Sequence, residues 1–323
     1  MKDVKKIFPI VSLSHISSTY LKNDDTLDEQ FYKDPKVKAL SQEIINAFSE
    51  WGFLYLVDHG IDSSVIENAF GTSKEFFEKD RLVKELFIHE DRNVELGYVP
   101  FNTETFDKSR PFDLKECFDF LPATDQKDKL TEKFPSLMKA LANLFQSLEL
   151  LNKFFLPLLS IALKPDDGEF LSLNHHRIGN MEENVTVLRS LYYPPIKCKE
   201  NVLENQLRCG EHSDYGTFTF LFQDEIGGLQ VVNPSGEYVN ATPIPGSIVV
   251  NAGDLLEIWS SGRCKSTRHR VLIPNDSQNA RQSIVMFVHP DKNTDVSCLD
   301  GSDKYKPINA FDYVMKKFEE TYG

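Results

Sequence analysis

Apolar residues recur at helical spacing through Val37, Leu40, Ile44 and Phe48, which predicts an amphipathic helix over about 35–50. A short apolar run, Phe53-Leu-Tyr-Leu-Val57, follows as a strand between the punctuating Gly52 and Gly60. Residues 63–79 read as another helix, whereas 80–130 is charged, broken by Pro100 and Pro111, and shows no clear period. A longer stripe then holds one face through Leu137, Leu141, Leu144, Leu148, Leu151, Phe155, Leu158 and Ala162, the pattern of a core-packing helix. Pro157 lies within it and should kink or divide it.

Beyond residue 180 the period shortens. Val187–Tyr193, Thr217–Phe222, Leu229–Val232, Ser247–Asn251, His269–Ile273 and Ser283–His289 read as strands. Pro194-Pro195, Gly227-Gly228, Pro234-Ser-Gly236 and Pro245-Gly246 separate them as turns. Short strands at this spacing suggest a sandwich or barrel, and a jelly roll is one such closure. A last amphipathic helix is expected over about 308–321. The expected class is α+β in one structural unit: a helical or mixed region over 1–180, a β core over 181–290, and a C-terminal helix within 291–323 packed on that core.

The 323 residues are 41% hydrophobic and 26% charged, a globular balance with material for a sizeable core. A formal net charge of −13 argues against nucleic acid or an anionic membrane as partner, but leaves room for a locally basic pocket. Cys117, Cys198, Cys209, Cys264 and Cys298 are scattered and odd in number, which fits free thiols in a reducing compartment better than a disulfide framework. The opening MKDVKKIFPIVSLSH is too broken by charge for a signal peptide, and no apolar run approaches the ~20 residues of a membrane helix. The expectation is a cytoplasmic monomer that meets a small molecule; the sequon Asn184-Val-Thr186 is then idle.

Chemistry concentrates in three places. His212-Ser-Asp214 sets an imidazole and a carboxylate two positions apart, on one face if the segment is a strand, so both can reach one metal ion. Alone the pair is weak, because eight histidines make a chance His-x-Asp about an even bet. His269, in Lys265-Ser-Thr-Arg-His-Arg-Val271, could be a third ligand or an ordinary core histidine. Arg281-Gln-Ser283 offers a guanidinium fork and a hydroxyl on one strand face, a fit for a buried carboxylate. His175-His176 lies in a polar loop sequence, and Arg270 points away from His269, where an ion pair suits it better than catalysis. No Gly-x-Ser-x-Gly elbow, P-loop or Rossmann fingerprint is present.

In this order and spacing, His212-x-Asp214, His269 and Arg281-x-Ser283 resemble the iron(II)/2-oxoglutarate oxygenases of the isopenicillin N synthase-like family. The surrounding text agrees: FPIVSLS (8–14), AFSEWGFLYLVDHGI (47–61), DLKECFDF (113–120), GEHSDYGTFTFLFQDEIGGLQV (210–231), VVNAGDLLEIWS (249–260) and KSTRHRV (265–271). The resemblance spans about 8–290. It implies a double-stranded β-helix (jelly-roll) core, iron(II) on His212, Asp214 and His269, and 2-oxoglutarate and O2 as cosubstrates. It also implies that Arg281, Ser283 and Tyr193 hold the distal carboxylate of 2-oxoglutarate, and that succinate and CO2 are released. Family members often carry Asn two residues before that tyrosine; here the position is Leu191.

Strand alternation carries the reading into the substrate pocket. If Tyr193 looks inward, so does Arg189, and on the Arg281–Phe287 run Val285 and Phe287 share the face of Arg281. Tyr215 follows Asp214 directly. The expected pocket has an aromatic wall of Phe287 and Tyr215 and one donor fork from Arg189, or else Arg189 pairs with a buried acid. The set resembles fungal thymine hydroxylases more than the plant hormone or flavonoid branches, which implies a pyrimidine or similar heterocycle. Two alternatives stay open: a family oxidase that consumes no 2-oxoglutarate, and a metal-binding jelly roll without turnover.

Overall fold

The computed structural model describes residues 8–20, 27–88, 97–101, 103–122, 127–196, 202–273 and 278–322. The strands are β1 (Ile10–Ser12), β2 (Phe53–Val57), β3 (Gly97–Val99), β4 (Glu116–Phe120), β5 (Val187–Tyr193), β6 (Cys209–His212), β7 (Phe218–Gln223), β8 (Leu229–Val232), β9 (Tyr238–Asn240), β10 (Ile248–Ala252), β11 (His269–Val271), β12 (Arg281–Val288), β13 (Asp295–Val296) and β14 (Ile308–Asn309). The helices are α1 (Ser14–Thr19), α2 (Glu29–Lys33), α3 (Pro35–Glu50), α4 (Ser63–Phe77), α5 (Arg81–Glu85), α6 (Lys127–Lys133), α7 (Pro135–Leu163), α8 (Phe170–Leu173), α9 (Asp254–Trp259) and α10 (Ala310–Tyr322).

Local chemistry explains the helix ends. The Asp34 carboxylate accepts the N–H of Lys36 and Pro35 occupies the first turn, which starts α3 where the period predicts it. Asp62 caps α4 through the N–H of Ser64 in the same way. Helix α7 begins on Pro135 and is not divided at Pro157. The Ser160 hydroxyl donates to the Leu156 carbonyl and the Ser41 hydroxyl to that of Leu158, while packing on α3 and α4 holds the rod from outside. By length and composition α7 could cross a membrane, yet 67% of its most apolar stretch is buried within the protein.

Eight strands form one sheet in the order β1-β2-β10-β7-β12-β5-β4-β3, and four form a second in the order β6-β11-β8-β9. The two sheets face one another as a double-stranded β-helix. Alternation sorts the side chains: Leu54, Leu56, Ile284 and Met286 pack toward the helices, while Phe53, Tyr55, Leu191, Tyr193 and Val285 pack between the sheets with Val231 and Val271.

The first half is therefore less purely helical than its pattern suggests, because β1 to β4 supply half of the large sheet. Strand β4 escapes the apolar-run criterion because it buries charge. Glu116 accepts from Lys84 and from the Tyr98 hydroxyl, each at 2.6 Å, and Asp119 pairs with Arg189. Cys117, Cys209, Cys264 and Cys298 are buried free thiols; Cys198 lies outside the described residues. Asn184 of the sequon is buried, its amide donating to the His289 carbonyl and the Asp291 carboxylate.

Candidate active site

Strands β6 and β11 are neighbours, and their register sets His212 directly across from His269. Strand β6 ends at His212, so Asp214 reaches the same point from the following loop rather than from the strand. That loop is fastened by the N–H groups of Asp254 and Leu255, which donate to the carbonyls of Asp214 and Gly216. Gly216 is needed for the close approach: a Cβ there would sit 2.4 Å from the Val288 carbonyl oxygen and 3.0 Å from His289 Nδ1.

The three ligand-type atoms of His212, Asp214 and His269 lie within 4.8 Å of one another. Asp214 Oδ1 is 3.9 Å from His212 Nε2 and 3.7 Å from His269 Nε2. Each imidazole turns its other nitrogen to a carbonyl, His212 Nδ1 to Gly210 at 2.8 Å and His269 Nδ1 to Thr267 at 3.2 Å. Those bonds place the proton on Nδ1 and leave the Nε2 lone pairs facing the carboxylate. Asp214 Oδ2 accepts from the Thr219 hydroxyl at 2.6 Å and the Asn251 amide at 2.7 Å, so Oδ1 remains for a cation. Burial and the neighbouring His269 push His212 down to about 3. Burial works to raise Asp214, but the two imidazoles, Asn251 and Thr219 outweigh it and hold the carboxyl below its ordinary value. Two imidazole nitrogens and one carboxylate oxygen converging on a point make a donor set suited to iron(II).

A cavity opens beside these atoms and runs to Arg281, Ser283 and Tyr193. Arg281 is buried, faces Tyr193 in register, and donates through Nη1 to the Ser283 hydroxyl at 3.2 Å. Its Nε has no partner among the described residues. Burial raises the Tyr193 phenol to about 12 despite the pull of Arg281, so it is a neutral donor. Leu191 lines this cavity where a polar residue is common in the family resemblance.

A second cavity also reaches His212 and Asp214, and its lining includes Phe106, Arg189, Tyr215, Phe287, His289, Phe318 and Thr321. Tyr215 and Phe287 stand where alternation and adjacency put them. The donor fork of Arg189 requires correction. Its Nε and Nη2 bond both oxygens of Asp119, at 2.6 and 2.8 Å, and Nη1 bonds Glu104 at 2.7 Å. Arg189 does face the cavity, but its fork is held by two acids from distant parts of the chain. Arg270 likewise makes no ion pair among the described residues; it donates to Gln230 and stacks 3.6 Å over the ring centre of Tyr238. His175 is buried between the Leu171 carbonyl and the Thr217 hydroxyl, and exposed His176 pairs with Asp291, so neither offers a metal site.

Several residues of the site carry no clear signal in the sequence. The Phe106 ring stacks on His212 at 4.3 Å, and the Lys115 ammonium, bound to Glu104 at 3.0 Å and Asp113 at 3.2 Å, lies 4.2 Å from its centre. Phe106 lies in the stretch without a period. His289 is buried, its Nδ1 has no partner among the described residues, and burial pushes it down to about 4, so a neutral imidazole faces the second cavity. Its signal was the same alternation that marks Arg281, Ser283, Val285 and Phe287. From the C-terminal helix, the Thr321 hydroxyl bonds that of Tyr215 at 2.8 Å and Phe318 stands beside the same ring.

Residues 183–290 match the 2OG-Fe(II) oxygenase superfamily, and residues 25–139 match the N-terminal region of non-haem dioxygenases in morphine synthesis. A homoarginine-6-hydroxylase of Glycine max is 30% identical over 91% of this chain and 89% of its own. The 2-oxoglutarate-dependent dioxygenase gloF of Glarea lozoyensis is 29% identical over 93% of this chain and 98% of its own. A full-length Neurospora crassa protein, whose crystal structure holds alpha-KG and thymine, aligns at a TM-score of 0.80 and 26% identity over 98% of each chain.

Proposed function

The chain belongs to the 2OG-Fe(II) oxygenase superfamily, and from that premise we propose a role for each part of its site and a class of substrate. The protein is an iron(II)- and 2-oxoglutarate-dependent dioxygenase that oxidises a small organic molecule, releasing succinate and CO2. His212, Asp214 and His269 hold the iron, with Thr219 and Asn251 orienting the carboxylate. Arg281, Ser283 and the Tyr193 hydroxyl take the distal carboxylate of 2-oxoglutarate at the far end of the first cavity. Bound iron supplies the redox centre at which O2 is activated. The residues around it exclude water and fix which substrate atom faces the metal ligands.

The substrate is a small, flat, carbonyl-bearing heterocycle of the pyrimidine class. The second cavity carries this reading. It opens onto His212 and Asp214, has flat aromatic walls in Phe106, Tyr215, Phe287 and Phe318, and offers polar atoms at its edges from His289 and Thr321. The thymine complex of the Neurospora relative supports the same class. The acidic chain, with net charge −13, and its four buried thiols favour a cytoplasmic monomer working on a small molecule rather than on nucleic acid or a membrane surface.

The test is succinate release from 2-oxoglutarate by the iron-loaded enzyme, with thymine, uracil, and sets of amino acids, small acids and terpenoids each offered as substrate. A pyrimidine should raise succinate release well above the rate without substrate. Stimulation confined to another set would overturn the substrate class and leave the iron and cosubstrate assignments standing.

A further inference from the structure

We propose that Arg208 is a second cationic positioning residue for the distal carboxylate of 2-oxoglutarate, working beside Arg281 at the ring of Tyr193. The inference rests on the assignment of Arg281, Ser283 and Tyr193 to that carboxylate. Arg208 immediately precedes β6, and its backbone N–H donates to the Val271 carbonyl at 3.1 Å, which fixes where the side chain starts. The side chain is 0% exposed. Nη2 donates to the carbonyls of Asn279 at 3.1 Å and Pro194 at 3.5 Å, whereas Nε and Nη1 have no partner among the described residues. Arg281 is 1% exposed, and its own Nε is likewise without a partner there.

The two guanidinium carbons lie 4.8 Å (Arg281) and 5.9 Å (Arg208) from the centre of the same Tyr193 ring. Among the described residues no carboxylate comes within ion-pair distance of either arginine. Asp224 acts on both only at longer range, its oxygens accepting the backbone N–H groups of Gln282 and Ile226. Burial, and after it the like charge of Arg281, pushes the Arg208 pKa down. A buried guanidinium left without a counter-charge is strongly unfavourable, and two that repel one another are more so. Such a pair is stable where an anion completes it. A dianion whose keto-acid end binds the metal and whose other carboxylate reaches Tyr193 and Arg281 supplies the counter-charge that no described residue does. Arg208 then strengthens the hold on the distal carboxylate by its field and by fixing the Tyr193 ring from the side of Pro194.

The measurement is binding of 2-oxoglutarate and of 2-oxopentanoate, which has the same chain length but no distal carboxylate, to the anaerobic iron(II) enzyme by calorimetry. Arg208→Gln keeps an amide donor for the neighbouring carbonyls and removes the charge. It should weaken 2-oxoglutarate binding by about tenfold while leaving 2-oxopentanoate binding unchanged, and Arg208→Lys should restore most of the loss. Equal affinity for 2-oxoglutarate in the wild type and Arg208→Gln would overturn the proposal, and so would an equal loss for both ligands, the mark of a merely structural role. Arg208→Met fills the same space without charge and serves the same comparison if the glutamine variant does not fold. Loss of the fold in all three variants marks Arg208 as structural and also overturns it. Arg281→Leu separates the two levels: weakened 2-oxoglutarate binding there, with Arg208→Gln unchanged, sinks this inference alone. Unchanged binding in Arg281→Leu sinks the cosubstrate assignment and this inference with it.

Discussion

Asp214 divides its oxygens between two tasks, Oδ2 to Thr219 and Asn251, Oδ1 to the metal position. Asp214→Ala should therefore abolish most iron(II) binding, measured anaerobically, while Asn251→Ala should weaken it by roughly 10–100-fold because only the orienting bond is lost. Wild-type iron affinity in Asp214→Ala would remove the triad assignment. Arg281→Leu should raise the 2-oxoglutarate requirement by about 10²-fold with iron binding intact. Arg189 asks for a different experiment from the one its sequence position invites. Arg189→Leu leaves Asp119 buried without its cation and Glu104 with Lys115 as its cation, so the expected effect is a loss of ~3–5 kcal/mol in denaturant stability. A stable Arg189→Leu enzyme that merely fails to couple substrate to succinate release would restore Arg189 as a substrate ligand. His289 is the better polar handle in the second cavity. His289→Leu should keep iron and 2-oxoglutarate binding yet lose substrate-stimulated succinate release, and full coupling in that variant would exclude it. The contrast shows what alternation can tell. It gave the inward direction of Arg189 correctly, but the acids that hold its guanidinium, Glu104 and Asp119, are too far away in sequence for any local pattern to reveal.

At the scale of elements, strands with clean alternation were legible and strands that bury charge were not. Strands β2, β5 and β8 fall where the apolar runs put them, whereas β4, with Glu116 and Asp119 buried inside it, and β3 beside it lie in the segment that showed no period. Strand β6 was invisible as a strand because it spans only Cys209–His212 and contains a glycine, although its last residue is one of the site's main features. Helix α10 was legible as an amphipathic helix, but not as a wall of the site. It is fixed by Thr321 on Tyr215 and by Tyr313, whose hydroxyl donates to Asp254 at 2.8 Å, next to the loop that carries Asp214. Removing residues 318–323 should open the second cavity to water while leaving the first intact. The expected result is unchanged 2-oxoglutarate affinity with poorly coupled turnover, and a truncated enzyme as well coupled as the full chain would show that the helix is only a lid on the core.

Across the whole molecule, stability should depend on keeping buried imidazoles neutral. Burial holds the folded-state pKa of His175 at about 3, below the ordinary 6.5. The unfolded chain therefore takes up the proton first as pH falls, so this contribution is fully present above about pH 6.5 and is lost progressively toward pH 3. His175→Gln should flatten the fall in denaturant midpoint between about pH 6.5 and pH 4.5, and an unchanged slope would place the sensitivity elsewhere. The division into a helix-backed sheet and a smaller sheet has a further consequence through the position of the ligands. His212 and His269 sit on adjacent strands of the small sheet, while Asp214 is tied by Thr219 and Asn251 to β7 and β10 of the large one. An ion held by all three rivets the sheets together, so every opening of the sandwich must first release it. Amide hydrogen exchange in β6 and β11 should slow markedly when iron(II) is added, with the gain rising as the logarithm of free metal above its dissociation constant, and exchange there that ignores added iron would show that the ligands do not tie the sheets.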